Sequence, residues 1–370
     1  MRARMVRILL AATLAVALVG CAPQAAPTSN APSETAPSST ESGGTAPSGA
    51  APSTIVDGLA APWSIALLPD GGALVSQRDD GTILEITAAH TVREVGVVPS
   101  VVADGEAGLN GIAVHTDGDT TWLYAYHAAS SDNRVVRMPL RGRAGSYRLG
   151  AVEVVLSGIH KATFHNGGRI AFGPDGMLYV TTGDAGSSTD SQDTSSLNGK
   201  ILRVTPQGQS APGNPFGNAV YSYGHRNVQG IAWTADGTMW ASEFGQNTWD
   251  ELNVIVPGGN YGWPVVEGIA HDDRFRDPLV QWPTDQASPS GLAARGSELY
   301  LASLRGERLW RVVTDRGSVV GDPSPVLSGY GRLRDVTVAA DGSLWILTNN
   351  TDGRGSPRSG DDRLLRFAVA

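Results

Sequence analysis

The chain is poor in cysteine, with Cys21 the single example among 370 residues. Beyond that position the sequence supplies no thiol. The folded part therefore excludes disulfide bridges, thiolate metal centres and cysteine nucleophiles. Long runs with a helical period of 3.6 are also missing, and the apolar residues 8–19 are too few to span a bilayer. These absences favour a strand-rich domain without thiol chemistry.

The first twenty residues have the features of a targeting segment. Arg2, Arg4 and Arg7 precede the apolar residues 8–19, and Leu-Val-Gly-Cys at 18–21 resembles a bacterial lipobox. This pattern predicts a signal peptide over residues 1–20, cleaved before a lipidated Cys21. An ordinary signal peptide or a membrane-anchored N-terminus is the alternative. We expect an extracytoplasmic bacterial lipoprotein that meets the cell membrane through Cys21 only.

Acidic residues outnumber basic ones in the chain, with 36 Asp and Glu against 28 Lys and Arg. Residues 22–53 consist mainly of Pro, Ala, Ser, Thr and Gly, with only Glu34 and Glu41 charged, a composition typical of a disordered tether. The full chain has a formal net charge of −8, and loss of the three signal-peptide arginines makes it −11. We therefore do not expect nucleic acid or an anionic lipid surface as a partner of the whole domain.

Residues 54–370 contain a repeated unit. An apolar run, a tight turn that usually carries Asp-Gly, a second alternating run, a polar loop and a third strand recur six times, with turn glycines at 71, 118, 176, 237, 296 and 342. Six units of this kind predict an all-β fold, a six-bladed β-propeller of four-stranded antiparallel blades. Ile55 and Val56 precede the first repeat, and we expect them to complete the last blade and close the ring.

The third repeat contains a hairpin that brings two titratable residues together. If Gly-Pro-Asp-Gly at 173–176 forms the loop, His165 stands opposite Asp184 at the open end. A histidine held by a carboxylate is a general-base arrangement, because the acid fixes the tautomer and stabilises the imidazolium. A purely structural pair is the alternative at this point.

Other blades bring arginines to the same mouth. In the fourth repeat Arg226 falls opposite Gly245, and the fifth and sixth contribute Arg305, Arg332 and Arg334. Four arginines at one opening of an acidic protein predict an anionic ligand with several carboxylates. The Gly-Gln-Asn loop at 245–247 could direct backbone carbonyls toward a hard cation such as calcium, although such loops are mostly simple turns. Trp282, placed here at the entrance of blade five, could equally pack in the core.

These residues, taken in order, resemble a known family. The ordered set looks like the soluble PQQ-dependent sugar dehydrogenases, and more closely like their aldose (glucose/sorbosone) dehydrogenase branch, over residues 54–370. The motifs are HNGGR at 165–169, GD at 183–184, LNGKILR at 197–203, GHRNVQG at 224–230, SEFGQN at 242–247, DELN at 250–253, GGNYGWP at 258–264, WPT at 282–284 and RLRDV at 332–336.

The resemblance implies a function and a role for each matching residue. It implies oxidation of an aldose at its anomeric carbon to the lactone, with PQQ and calcium as cofactors and an unidentified electron acceptor. His165 would remove the anomeric hydroxyl proton, Asp184 would orient His165, and Arg226 would stabilise charge on the quinone. The remaining matches are Asn227, Gln229, Thr284, Arg305, Arg332 and Arg334 for cofactor binding, Gly245 and Gln246 for calcium through main-chain carbonyls, and Glu106 and Trp282 for the sugar.

Three departures from the family pattern limit what is carried over. Gln246 replaces a proline, Arg305 replaces a lysine, and Glu106 replaces a glutamine beside the sugar, so the substrate preference does not transfer. Two other functions stay open. A calcium-dependent lactonase of the same fold would have a cage of Asp, Asn and Glu side chains at the axis. A non-catalytic binding propeller would have lost His165, Asp184 or Arg226.

Overall fold

The structure is a computed structural model that describes residues 51–369. The predicted signal peptide, Cys21 and residues 22–50 of the predicted tether lie outside the described residues. Within 51–369, no helix is long and apolar enough to cross a membrane. The predicted tether ends at Ser53, which is already the first residue of a strand.

The described chain forms six antiparallel sheets arranged in a ring, as predicted. Blades one to three comprise β2 (Pro62–Leu67), β3 (Ala73–Gln77), β4 (Thr82–Ile86) and β5 (Val92–Val97); β6 (Leu109–Asp117), β7 (Thr120–Ala128), β8 (Asn133–Arg141) and β10 (Glu153–Ile159), with β9 (Arg148–Leu149) beside β8; and β11 (Ile170–Phe172), β12 (Leu178–Thr181), β13 (Lys200–Val204) and β14 (Val220–Tyr223). A 3₁₀ helix, Ser188–Gln192, lies between β12 and β13.

Blades four to six complete the ring. They comprise β15 (Val228–Trp233), β16 (Met239–Glu243), β17 (Trp249–Ile255) and β18 (Val280–Pro283); β19 (Pro289–Arg295), β20 (Glu298–Ser303), β21 (Arg308–Asp315) and β23 (Ser324–Ser328), with β22 (Ser318–Val319) beside β21; and β24 (Leu333–Val338), β25 (Leu344–Thr348), β26 (Leu364–Phe367) and β1 (Ser53–Val56). β1 pairs with β26, so Ile55 and Val56 close the ring as expected.

The core consists of six apolar clusters, one at each junction between neighbouring blades. Successive side chains of a strand point to opposite faces of the sheet, so each blade contributes apolar residues to the clusters on both of its sides. On β7, Leu123 and Ala125 face blade one, while Tyr124 and Tyr126 face blade three. Each of the six turn glycines has a positive φ, which a residue with a Cβ adopts only at a cost. Local turn chemistry and strand alternation thus determine this architecture.

The predicted register of the third blade is wrong by one residue. Ile170 pairs with Val180, and Gly173 and Met177 hydrogen-bond around a loop of residues 174–176. A bulge then restores the alignment, because Gly168 and Arg169 both bond to the backbone of Thr181. The other five blades have a similar irregularity near the start of the first strand. His165 and Asp184 therefore still meet.

Candidate active site

A cavity of about 460 Å³ opens where the first strands begin. Its lining includes the predicted residues Glu106, Gln229, Arg305, Arg332 and Arg334. The other lining residues are Trp63, Arg78, Phe244, Ser288, Leu304 and Arg354. Five of these eleven side chains are arginines and one is acidic. The lining therefore has the positive charge that a ligand with several carboxylates requires.

His165 lies beside this cavity and is held by Asp184. Its Nδ1 is 2.7 Å from Asp184 Oδ1. Asp184 is 2% exposed and also accepts hydrogen bonds from Trp263 Nε1 at 2.8 Å and from the Gly186 amide at 2.9 Å. Burial alone would raise the pKa of Asp184, but these hydrogen bonds lower it below its ordinary value. An ionised carboxylate only accepts, so Nδ1 carries the proton and Nε2 is the basic nitrogen.

The backbone of His165 is strained and tied to Glu106. Its φ is +54°, in the left-handed region that residues with a Cβ rarely adopt. The His165 amide donates to Glu106 Oε2 at 3.0 Å, and the His165 carbonyl accepts from the Ala185 amide at 3.1 Å. Glu106 Oε1 in turn pairs with Arg354 at 3.1 Å. Glu106 therefore links His165 to the cavity wall.

A buried hydrogen-bond network around Glu243 holds the backbone of Arg226. Its amide and that of Asn227 donate to Glu243 Oε1, while Glu243 Oε2 accepts from His225 Nδ1 at 2.8 Å. The guanidinium lies 5.4 Å from the Trp263 ring and donates through Nη1 to the Gly245 carbonyl at 2.6 Å. Its Nε is buried without a hydrogen-bond partner.

Blade six forms an arginine wall. Arg334 donates to Gln229 Oε1 at 2.9 Å and to Asn349 Oδ1 at 2.8 Å, and both Arg332 and Arg334 approach Asp352 Oδ2, at 3.1 and 3.5 Å. Burial lowers the pKa of Arg334, and the nearby positive charge of Arg332 lowers it further. Arg332 Nε is buried without a partner. One carboxylate shared by two arginines leaves unmatched positive charge here.

Residues 244–248 connect β16 to β17, and together with Trp249, the first residue of β17, they form the loop at 244–249. The Gly245 amide donates to Asp250 Oδ1 at 2.9 Å. A Cβ at Gly245 would collide with the Trp249 carbonyl oxygen, so this tight turn requires glycine. Gln246, the residue after it, is exposed.

Eight predicted residues are not among the eleven that line the cavity. Five of them, His165, Asp184, Arg226, Gly245 and Gln246, are described above, and the other three are Asn227, Thr284 and Trp282. Asn227 is buried, and its Oδ1 accepts the Gly167 amide at 2.9 Å, which fixes the turn that carries His165. Thr284 accepts Ser288 Oγ through its carbonyl at 3.3 Å. The prediction that Trp282 lies at the sugar-binding rim is wrong.

Trp282 belongs to the outermost strand of blade four, β18, and not to the entrance of blade five. Its side chain is 4% exposed and lies in the apolar cluster between blades four and five. The Trp310 ring stands 5.7 Å away, centroid to centroid. The indole is therefore a core residue.

A sequence model of the glucose/sorbosone dehydrogenase family matches residues 59–365. The chain belongs to this family. Our expectation of an oxidoreductase that acts on a sugar CH–OH group is thereby confirmed.

Individual relatives agree with the family match. The solved PQQ-bound form of the aldose sugar dehydrogenase from Streptomyces coelicolor is 52% identical, with a TM-score of 0.83 over 86% of this chain and 97% of that chain. The aldose sugar dehydrogenase YliI of Escherichia coli is 28% identical over 82% of this chain and 92% of its own length. Quinoprotein glucose dehydrogenase B of Acinetobacter calcoaceticus is 31% identical over 60% of this chain and 54% of its own length.

In this member of the glucose/sorbosone dehydrogenase family, the structure adds residues that the sequence analysis did not single out. Trp263, within the GGNYGWP motif, supports Asp184. Arg169, the last residue of HNGGR, crosses the axis: Nη1 donates to Ser64 Oγ of blade one at 3.0 Å and to Asp335 Oδ2 of blade six at 2.9 Å. Its Nε donates to the Gln229 carbonyl of blade four at 2.9 Å. Both residues stood in motifs that we quoted without assigning them a role.

Proposed function

We propose that this protein oxidises an aldose at its anomeric carbon to the lactone, with PQQ and calcium as cofactors. One observation carries the proposal: a histidine oriented by a buried carboxylate lies beside a cavity lined by five arginines. The first feature suits proton removal, and the second suits a polycarboxylate cofactor. Two relatives, a PQQ-bound aldose sugar dehydrogenase and a quinoprotein glucose dehydrogenase, support an aldose substrate and PQQ as the cofactor.

The residues present fit PQQ. Buried donors without partners, Arg332 Nε and Arg226 Nε, are costly unless an acceptor satisfies them, and the carboxylates and quinone oxygens of PQQ are acceptors. Arg305, Arg332, Arg334 and Gln229 would hold it from the cavity wall. Asn227 and Thr284 match cofactor-gripping positions of the family, and here they fix neighbouring backbone. When bound, PQQ supplies a two-electron acceptor for the hydride of the sugar.

The residues also fit calcium, which prefers oxygen ligands. The carbonyl oxygens of Gly245 and Gln246 are the two candidates for ligands. The Gly245 carbonyl accepts one hydrogen bond from Arg226, and a carbonyl oxygen has a second lone pair. Within residues 51–369, no group of three or more His, Cys, Asp or Glu side chains is arranged to hold a metal ion. Backbone carbonyls are therefore the proposed protein ligands.

The protein's own groups then perform the proton transfer. His165 Nε2 accepts the anomeric hydroxyl proton, and Asp184 stabilises the imidazolium through Nδ1. Arg226 provides fixed positive charge where negative charge develops. Glu106 is next to His165, so we propose that its carboxylate faces the sugar and sets the preference among aldoses. The electron acceptor is a separate molecule that remains to be found.

The residues at the propeller axis do not favour a calcium-dependent lactonase. That function needs a cage of oxygen ligands there, whereas Arg169 occupies the axis with its guanidinium paired to Asp335. The binding-propeller alternative predicts loss of the base or of its partners. His165, Asp184 and Arg226 are all present here and connected through Trp263.

Reconstitution tests the function directly. The full chain is mixed with PQQ and calcium chloride, and reduction of a redox dye is followed across a panel of aldoses. We expect turnover with at least one aldose, a change in quinone absorbance on adding sugar, and loss of both when calcium is chelated. If no sugar produces turnover or an absorbance change, the binding-propeller function is favoured.

We also propose that the protein is an extracytoplasmic lipoprotein anchored through Cys21. Expression of the full chain and of Cys21→Ala in a bacterial host, followed by membrane fractionation, tests this proposal. We expect the native chain in the membrane fraction and the variant in the soluble extracytoplasmic fraction. Equal partition of the two chains would contradict lipidation.

A further inference from the structure

One glutamate collects four consecutive backbone amides of the loop at 244–249. Glu267 Oε1 accepts from the amides of Gln246 at 2.6 Å, Asn247 at 3.1 Å, Thr248 at 3.2 Å and Trp249 at 3.2 Å. Successive amides that converge in this way form an anion-binding concavity. Here the anion is a carboxylate of the same chain, 18 residues beyond the end of the loop.

This convergence determines where the loop carbonyls point. In a trans peptide unit the N–H and C=O bonds point in opposite directions. The amide of Gln246 faces Glu267, so the carbonyl of Gly245 faces away from it. The amide of Asn247 does the same for the carbonyl of Gln246. These two carbonyls are the proposed calcium ligands, and Arg226 Nη1 contacts the first of them.

We infer that Glu267 is a positioning residue that builds the cation site. Resting on the proposed function, this inference assigns to Glu267 the alignment of the carbonyls of Gly245 and Gln246 on one face of the loop. A carboxylate on the opposite face also adds a negative charge near the bound cation, which favours binding. Glu267 accepts the backbone amides of the loop, and it affects calcium binding through the orientation of the loop carbonyls.

Glu267 is itself held in place. The next residue, Gly268, donates its amide to the buried carboxyl of Glu251 at 2.7 Å, and a Cβ at Gly268 would meet the Trp249 ring. Burial would raise the pKa of Glu267, but the loop amides lower it below its ordinary value, so the carboxylate is charged at neutral pH. The same excursion of residues 256–279 carries Trp263, the partner of Asp184.

Two substitutions separate the charge of Glu267 from its acceptor oxygen. Glu267→Gln keeps an oxygen for the loop amides and removes the charge, whereas Glu267→Ala removes both. The matched control is Asp277→Asn, because Asp277 also accepts backbone amides of its own segment, those of Ala270 and His271, at 2.9 to 3.3 Å. Asp277 lies in the same excursion and has no bond to the loop at 244–249.

Calcium chloride is titrated into the full chain with PQQ, and the quinone absorbance gives the concentration for half-maximal reconstitution. Loss of an outer-shell partner typically costs 10–100-fold in metal affinity, so we expect Glu267→Ala to raise this concentration by about tenfold or more. Glu267→Gln should raise it by a smaller factor, and Asp277→Asn should match the native chain. Native-like titrations of both Glu267 variants would overturn the inference.

Amide hydrogen exchange provides a readout that does not depend on calcium. In the full chain with no cation added, we expect the amides of residues 246–249 to exchange faster in Glu267→Ala than in the native chain, with Glu267→Gln between them. Unchanged exchange would also overturn the inference. Failure of the native chain to respond to calcium would instead refute the proposed cofactor, and the exchange result would still decide the role of Glu267. If Glu267→Ala fails to fold, Glu267→Gln carries both measurements.

Discussion

The two sides of the cavity differ in how completely their polar groups are satisfied. On the side of blade three, both oxygens of Asp184 are occupied by His165, Gly186 and Trp263. On the side of blade six, Arg332 and Arg334 share Asp352 Oδ2, and Arg332 Nε is buried without an acceptor. The side of the proposed base is thus preorganised by the protein alone, whereas the arginine wall has a buried donor and positive charge that a bound anion would satisfy. Separate substitutions should therefore separate chemistry from cofactor binding.

The largest effect is expected from His165→Ala. Removing a general base typically costs 10²–10⁴-fold in rate, so turnover should fall to near background. Binding of PQQ should be almost unchanged, because the arginines that would hold it are intact. Dye-reduction kinetics and a quinone absorbance titration measure the two effects. Turnover at the native rate would refute the assignment of the base.

The converse change is Arg332→Ala combined with Arg334→Ala. Hydrogen bonds to charged groups contribute about 1.5–3 kcal/mol each, so the affinity for PQQ should fall by about 100-fold or more. At saturating PQQ, the remaining turnover should exceed that of His165→Ala.

Arg334 also bonds to Gln229 and Asn349, so thermal unfolding must accompany that titration. Arg332→Gln is the gentler variant if the double variant is unstable. Native affinity for PQQ in a folded variant would mean that the anion binds elsewhere.

Trp263→Phe tests how much of the preorganisation depends on blade four. It keeps an aromatic ring near Arg226 and removes the indole donor to Asp184, so kcat should fall by about tenfold. With one donor lost, the pKa of Asp184 rises toward its ordinary value. The carboxylate is then protonated at a higher pH, so the acidic limb of the pH profile of kcat/KM shifts to higher pH.

Trp240→Phe is the matched control, since Trp240 Nε1 donates to Thr234 Oγ1 at 3.2 Å within the same blade. It should lower stability without moving the pH profile. An unmoved profile in Trp263→Phe would show that the other two donors suffice for Asp184.

The smallest effect on catalysis is expected at Glu251, which faces Glu243, the acceptor of the Arg226 amide. Burial and the facing charge of Glu243 raise the pKa of Glu251 to about 8. Between its ordinary value and about pH 8, the folded chain keeps a proton that the unfolded chain releases, so Glu251 reduces stability as pH rises. Denaturant unfolding at several pH values should show Glu251→Gln gaining stability on the native chain by about 1 kcal/mol for each pH unit between pH 5 and pH 8. If the free energies of unfolding of the two chains change in parallel with pH, the raised pKa of Glu251 is contradicted.

Local signals allowed most of the fold to be predicted. Turn glycines mark each first hairpin, and strand alternation marks the faces that neighbouring blades share. Even the one-residue register error near Pro174 did little harm, because a bulge at Gly168 and Arg169 compensates for it. The facing of His165 and Asp184 follows from two strand ends, which is information contained in about twenty consecutive residues.

Three of the missed or misplaced residues, Trp263, Glu267 and Trp282, have a common physical cause. Trp263 and Glu267 lie in a segment of 24 residues between β17 and β18, and no periodic pattern determines where such an excursion folds back. Trp282 was assigned to the wrong blade because its strand follows that excursion. In each case this aperiodic segment decides where the residue lies, so composition and spacing alone do not locate its contact partner.

Arg169 has a consequence for the order of events in the cavity. Its guanidinium connects blades one, three, four and six across the axis and stacks 4.4 Å from the ring of Trp63, a residue of the cavity wall. Arg169 therefore braces the propeller axis next to the cavity wall, and in the proposed reaction the component bound nearest to that axis has to enter first. A planar polycarboxylate settled against the arginines would become the floor on which the sugar rests. Assembly would then be sequential, with the sugar as the last component to arrive and its oxidised product as the first to leave.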